Sequence, residues 1–353
     1  MSQSNSQLLP GMQIYKYSLR QRIGSGSFGE VWVAEDQAVG HEYAIKILKP
    51  GTPIHHRLRE AQIGHVLDHH NVVKVHQADV SQNHVIIAMD YLPKGPITRL
   101  ANPSFYLPLP DALRIGIDIL RGLEYLHGHD FFHNDIKPEN VLIGPHDQGM
   151  LTDYGIVGIT KDGVPVPATN FYKIHAAPEV INSNSISAQT DLFQAGLTLF
   201  RMLVGNNVLM QRFNEMGEKA YYKELSEGKL ISPSSFPQYV PSKLKSVILK
   251  SINPDTNKRY ETALTMRRDL EKMNFPGYWT VENSGDFIGY NGAYSYRYHQ
   301  AKKNGNKFDI NAFKCHNDTG RETRCGRYCH VNLTNAQAKK EISKFVKAVV
   351  EGI

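Results

Sequence analysis

The residues in this sequence whose types and spacing could do chemistry gather in one short stretch, His133-Asn134-Asp135-Ile136-Lys137-Pro138-Glu139-Asn140. An Asp can orient an alcohol and accept its proton. A Lys two residues on can neutralise charge on a phosphoryl group in transit. An Asn three further on can lend an oxygen to Mg²⁺. Phosphoryl transfer asks little else of a protein than such positioning and charge stabilisation. By themselves these residue types also suit a solvated turn.

Other elements must bring a nucleotide to that stretch. Ile23-Gly24-Ser25-Gly26-Ser27-Phe28-Gly29-Glu30-Val31 is a Gly-x-Gly-x-x-Gly run. Glycines let a backbone approach phosphates closely, but a plain hairpin turn explains the run equally well. A strand, Val31-Trp32-Val33-Ala34, follows where a dinucleotide-binding domain would place a helix, so the pattern favours a hairpin flap. Lys46 sits in the apolar strand Tyr43-Ala44-Ile45-Lys46-Ile47-Leu48 and wants a partner, unless it snorkels from a strand edge. Glu60, in the helical stretch Pro53 to Leu67, shares a face with Ile63 and Leu67 and is the chosen partner. Glu42, at a strand start, is the competing acid and is expected to face solvent. The run His84 to Met89 ends in Asp90-Tyr91-Leu92-Pro93-Lys94-Gly95, a change of character that marks a link between lobes or simply a loop.

Past this link, Asp111 to His127 carries Leu113, Ile117, Leu120 and Leu123 at helical spacing and leads to the Asp135 stretch. Val141-Leu142-Ile143 and Met150-Leu151 bracket Gly144-Pro145, a hairpin signal. Asp153-Tyr154-Gly155 then sets a carboxylate beside a Gly, which suits Mg²⁺. The polar segment Ile156 to Ala176 is expected to be mobile; it ends in Ala177-Pro178-Glu179. Asp191 opens an apolar helical stretch, and Arg259 precedes a helical stretch from Thr262 to Met273.

Taken in order, these pieces resemble the eukaryotic-like serine/threonine protein kinases, over Tyr15 to about Asn274. The opening Leu9-Pro10-Gly11 looks like bacterial members of that family. The resemblance implies an α+β, bilobal fold: a small antiparallel-sheet N-lobe with one helix, to about residue 90, and a larger, mainly helical C-lobe from about residue 95. It implies an ATP- and Mg²⁺-dependent enzyme that phosphorylates Ser or Thr of protein substrates, itself included. Asp135 and Lys137 would be catalytic. Ile23, Gly24, Gly26, Gly29, Val31, Ala44, Lys46, Glu60, Asp90 and Leu92 would bind ATP, with Met89 behind the adenine. Asn140 and Asp153 would hold Mg²⁺. Asp191 would brace the catalytic loop, and Glu179 and Arg259 would pair as a structural bridge.

Tyr154 stands where the family has Phe, and two further positions depart from its pattern. Asn134 stands where many relatives have an Arg that receives an activating phosphate, so phosphorylation of the segment is not the expected switch. Thr160 and Thr169 are candidate modification sites or ordinary solvated loop residues. Tyr172 stands five residues before the Ala of Ala-Pro-Glu, where relatives tend to carry Thr. Lys137 still points to Ser/Thr substrates. A pseudokinase or adaptor, and a kinase acting on a small molecule, are the rival readings.

With 353 residues, 41% hydrophobic and 21% charged, the chain has the composition of an ordinary globular protein of two or three domains. Residues 1–12 are expected as an extension, 13–274 as the kinase domain and 275–353 as a small α+β module. Met1 to Gly11 lacks a signal pattern, Leu192 to Met210 is broken by Gln194 and Arg201 and reads as a buried helix, and only three Cys occur; a cytoplasmic protein with no membrane span is expected. The last 79 residues hold 12 Lys/Arg against 7 Asp/Glu and every Cys. Cys315, Cys325, Cys329 and His330 have spacings that could serve zinc, or are free thiols. Tyr290, Tyr294, Tyr296 and Tyr298 share one parity, as a face packed on the helix Asn335 to Val350 or as a base-stacking platform. A protein partner, or else nucleic acid, is expected to bind this module.

Overall fold

The computed structural model describes residues 8–25, 29–48, 65–81, 84–100, 106–153, 158–160, 163–168, 171–282 and 285–352. The first lobe is an antiparallel sheet of β1 (Gln13–Ile14), β2 (Tyr17–Ser25), β3 (Gly29–Asp36), β4 (His41–Leu48), β5 (Val75–Ser81) and β6 (His84–Asp90). Its order is β1-β2-β3-β4-β6-β5. Period-two alternation sorts the strands into two faces. Ile45, Ile47, Ile86 and Ala88 join Tyr17, Leu19 and Trp32 in a cluster on one face. Ala44, Leu48, Val85, Ile87 and Met89 join the main core on the other, as does Leu67, just after helical His65 and Val66. Lys46 shares parity with Ala44 and Leu48, so the pleat turns it inward; Glu42 is exposed, as expected. A Cβ on Gly29 would lie 2.1 Å from the Ile47 carbonyl oxygen, so the close pairing of β3 with β4 requires glycine there.

Helix α1 (Leu109–Gly128) starts with Pro110 in its first turn, where a fixed φ and a missing N–H cost nothing. It buries Ile115, Ile119, Leu120, Leu123 and Leu126; the expected Leu113 and Ile117 lie half-buried beside them. After β7 (Phe131–Phe132) comes the Asp135 stretch, then β8 (Val141–Ile143) and β9 (Gly149–Leu151), paired as the expected hairpin. The segment that follows is not simply loose chain. Its β10 (Gly158–Ile159) pairs with β7, and its β11 (Val166–Pro167) pairs with β12 (Ser185–Ile186). Between them, α2 (Pro178–Ser183) begins on the Ala-Pro-Glu motif. Helix α3 (Ala188–Val204) runs through the lobe almost wholly buried. Helices α4 (Val208–Met216), α5 (Glu218–Ser226), α6 (Ser242–Ser251) and α7 (Ala263–Glu271) complete the larger lobe. The fold is the bilobal kinase architecture.

The tail adds a second sheet, β13 (Gly277–Val281), β14 (Phe287–Asn291), β15 (Tyr294–Lys303), β16 (Lys307–His316), β17 (Glu322–Arg324) and β18 (His330–Leu333), crossed by α8 (Asn335–Glu351). Trp279 is its anchor: it is buried, stacks on Phe287 and donates its indole N–H to the Val346 carbonyl at 3.0 Å. Tyr296 and Tyr298 meet Phe345 of α8 edge-on, the packing expected for that face. Tyr290 differs, because it lies on β14 and stacks on Tyr278 at 5.4 Å. Phe287 also approaches Tyr239 of the larger lobe, ring centres 5.8 Å apart, so one apolar cluster runs through lobe and tail.

Candidate functional site

A cleft of about 370 Å³ opens between the lobes. Ile23, Gly24, Gly29, Val31, Ala44, Lys46, Met89, Asp90 and Leu92 line it from the small lobe and its link, and Asn140 and Asp153 line it from the large one. Gly26 and Glu60 lie outside the described residues, as does Thr169. A Cβ on Gly24 would meet nothing nearer than Val31 at 3.6 Å. Protein packing therefore does not demand glycine at that point; the approach of a ligand to the backbone would. At the link, the Asp90 N–H donates to the Lys74 carbonyl at 3.0 Å and its carboxylate meets His76 Nε2 at 2.6 Å. Asp90 is thus held from both ends.

At the floor, Lys46 Nζ donates to Asp153 Oδ1 at 2.6 Å, across 107 residues of chain. Burial pushes the Asp153 carboxyl up, but the Lys46 charge and hydrogen bond outweigh it and hold the group below the usual carboxylate range. Asp153 has a φ of 72°, a left-handed conformation that turns the chain sharply as it leaves β9.

Asp135 is buried beside it, and Lys137 Nζ donates to its Oδ2 at 2.6 Å. Asn140 Nδ2 donates to the Asp135 carbonyl at 2.9 Å and to Oδ2 at 2.7 Å, which leaves the amide oxygen as the atom to turn toward the cleft. Asp135 Oδ1 is buried and accepts no hydrogen bond among the described residues. A buried carboxylate oxygen left without a donor is costly, and a hydroxyl brought to it would supply one. Burial raises the Asp135 pKa; Lys137 opposes this without cancelling it.

The stretch holds this shape because helix α3 grips its backbone. Asp191 Oδ2 accepts the His133 N–H at 2.9 Å and Oδ1 accepts the Asn134 N–H at 2.7 Å. Gln194 accepts the Ile136 N–H at 2.9 Å and donates to the Asn134 carbonyl at 3.0 Å. Asn134 itself adopts a φ of 59°, which Asn tolerates better than most residues. Asp191 is legible in the sequence as a brace, whereas Gln194 reads there only as an interruption of an apolar run. The spacing of Asp191 and Gln194, one helical turn apart, was the available signal. Arg201, another such interruption, pairs with Glu139 at 2.6 Å and donates to His175 Nε2 at 3.0 Å. Glu179 and Arg259 pair as expected. Thr160 is buried, and its hydroxyl donates to the Val164 carbonyl, so it is not the solvated loop residue expected.

The protein kinase domain model matches residues 17–269. The chain belongs to the protein kinase family. This kinase is similar to the serine/threonine-protein kinase PrkC of Bacillus subtilis, 29% identical over 266 residues, covering 72% of this chain and 40% of that protein. It is similar to the serine/threonine-protein kinase PknB of Mycobacterium leprae, 26% identical over 272 residues, covering 73% and 43%. It is also similar to protein kinase 3 of Dictyostelium discoideum, 28% identical over 275 residues, covering 73% and 29%. The chain spans under half the length of these three curated relatives.

A cation such as Mg²⁺ can be served by one or two carboxylate or amide oxygens plus phosphate oxygens. Asp153, held ionised, and Asn140, with its nitrogen engaged, fit that donor set. Zinc does not fit the tail. No three His, Cys, Asp or Glu side chains gather to hold a metal ion among the described residues. Cys315 stands on β16 opposite Ser295. Cys329 Sγ sits 3.2 Å from the Arg324 guanidinium and near the Cys325 carbonyl. His330 faces Glu341 of α8 at 3.5 Å. Cys329 is engaged by Arg324 and the Ala312 N–H, Cys315 and His330 have other neighbours, and the four expected ligands do not gather into one donor set. No helix of the described residues is long and apolar enough to cross a membrane.

Proposed function

We propose that this kinase transfers the γ-phosphate of Mg-ATP to Ser or Thr hydroxyls of proteins, including its own. The observation that carries the reading is the orphaned Asp135 Oδ1 beside Lys137, on a carboxylate hydrogen-bonded to Asn140, which lines the cleft with Lys46 and Asp153. Bound between the lobes, Mg-ATP supplies the phosphoryl group and the charge that neutralises its oxygens. Ile23, Val31 and Ala44 cover the adenine, and the Asp90–Leu92 backbone orients it. The glycine run would let the backbone approach the phosphates. Lys46 would orient the α- and β-phosphates, and Asn140 and Asp153 would hold the metal. Asp135 accepts a hydrogen bond from the incoming hydroxyl at Oδ1 and takes its proton as the bond to phosphorus forms. Lys137 holds Asp135 in place and offsets negative charge on the group in transit.

The kinase domain is taken as residues 13–274 and the tail as a partner-binding module of residues 275–353. Three unbridged thiols suit a reducing, cytoplasmic setting. Purified protein should label itself or a general protein substrate from radioactive ATP, on Ser or Thr, while Asp135→Ala does not. Equal labelling by the variant ends this reading. A well-folded wild type that turns over no nucleotide leaves the adaptor role instead.

A further inference from the structure

Lys137 has a second neighbour that its role toward Asp135 does not explain. Its Nζ stands 4.4 Å from the ring centre of Tyr172. The ammonium is therefore held between a carboxylate oxygen on one side and an aromatic face on the other. Tyr172 is half-buried and precedes the short helical turn Lys173–His175. Its carbonyl accepts the His175 N–H at 2.9 Å, and the two rings lie 5.9 Å apart.

His175 fixes this turn to the catalytic loop. It is fully buried, and its Nδ1 lies 2.8 Å from the Ile136 carbonyl oxygen, so Nδ1 must carry the proton and donate. Nε2 is then an acceptor, which matches Arg201 donating to it. Residues 172 and 175 thus meet residues 136 and 137 pairwise, one contact through backbone and one through a side-chain charge.

We propose that Tyr172 is a positioning residue for Lys137, acting through its ring and not through its hydroxyl. The inference rests on the kinase reading above and adds the part that sets Lys137. An aromatic face stabilises an ammonium without taking one of its hydrogens. Of three N–H groups, one goes to Asp135 and another stays free for a phosphoryl oxygen. A Lys otherwise gives up much rotamer freedom to stay in one place, and a ring packed on one side limits the alternatives. A short Thr at position 172 has no such surface to offer. The end of the activation segment is thereby set against Lys137 by a flat ring.

The test compares Tyr172→Phe and Tyr172→Leu in the full chain. Tyr172→Phe keeps the ring and should hold kcat for a protein substrate within about twofold of wild type, as cation–π contact does not need the phenol oxygen. Tyr172→Leu keeps apolar bulk and loses the quadrupole; kcat should fall about fivefold, with KM for ATP unchanged. In a Lys137→Ala background, Tyr172→Leu should cost nothing further. A Leu variant equal to wild type, a Phe variant that falls as far as Leu, or the same Leu loss without Lys137 would each overturn the proposal. An independent reading uses carbon-13 lysine labelling. The ε-methylene signal that vanishes in Lys137→Arg should be ring-shifted upfield in wild type and Tyr172→Phe, and normal in Tyr172→Leu. An unshifted signal in an active enzyme overturns this inference alone. A shifted signal in a protein that transfers no phosphate overturns the kinase reading, and the role of Tyr172 with it.

Discussion

The guanidinium of Arg259 holds the carboxylate of Glu179 with both terminal nitrogens, at 2.7 Å and 2.8 Å, across 80 residues of chain. The Arg side chain is fully buried and lies over the Phe193 ring at 4.7 Å. This fork ties the end of the activation segment to the last helices of the large lobe. Arg259→Ala leaves a mostly buried carboxylate without its partner, and such a loss costs about 3–5 kcal/mol. Denaturant unfolding should show it. A change under about 1 kcal/mol would mean that Thr190, which also donates to Glu179, suffices.

Asp191 accepts two backbone N–H groups of the catalytic loop. Asp191→Ala strands both in a dry interior, at roughly 1–3 kcal/mol each. Stability should fall and phosphotransfer should fall further, because the loop that carries Asp135 loses its brace. A variant as active as wild type would show that Gln194 alone sets the loop.

Asp135 predicts an opposition between stability and activity. The folded chain holds the Asp135 proton to higher pH than the unfolded chain, whose value is near 3.8. Stability contributed by this group therefore falls as pH rises from 3.8 through the raised folded value, and the penalty is complete only above that value. Asp135→Asn should raise the thermal midpoint at neutral pH, with no gain in acid below the ordinary Asp value, while abolishing phosphotransfer. A lower midpoint at neutral pH would contradict this. Phosphotransfer by wild type should fail on the acid side above the usual Asp range.

Asp153 and Asn140 are proposed to hold the metal, and on that reading nucleotide affinity should depend on it through them. Wild type should bind a fluorescent ATP analogue about tenfold more tightly with Mg²⁺ than with chelator, a difference of ~1.4 kcal/mol. Asp153→Asn should lose most of that difference. An undiminished Mg²⁺ effect in the variant would remove Asp153 from the metal site.

Phe345 meets Trp279, Tyr296, Tyr298 and Tyr328 at the centre of the tail. Phe345→Ala opens a cavity there and should cost about 3–5 kcal/mol of tail stability. Hydrogen exchange should quicken in β13–β16 and α8 first. If the cleft around Lys46 loosens equally, lobe and tail unfold as one cooperative unit through Phe287 and Tyr239.

Much of the site was legible in the chain itself, because its chemistry sits on local spacing. Asp135, Lys137 and Asn140 lie within one loop, and a Lys in an apolar strand at position 46 must answer to something buried. Period two on either side of the glycine run was enough to place the paired strands β2 and β3. What the order of residues could not say is which distant groups meet. Gln194 and Arg201 look like flaws in an apolar helix until the catalytic loop is folded against them. The tail cysteines have plausible metal spacing, yet strand register sets Cys315 opposite Ser295 while Cys329 ends a helical turn beside Arg324. Tyr172 and Lys137 are 35 residues apart in the chain, and only the return of the activation segment lays one upon the other. Sequence determines backbone preference and face over a few residues; contact between remote side chains is decided by packing, where the cost of a buried, unpartnered polar group selects one arrangement among many.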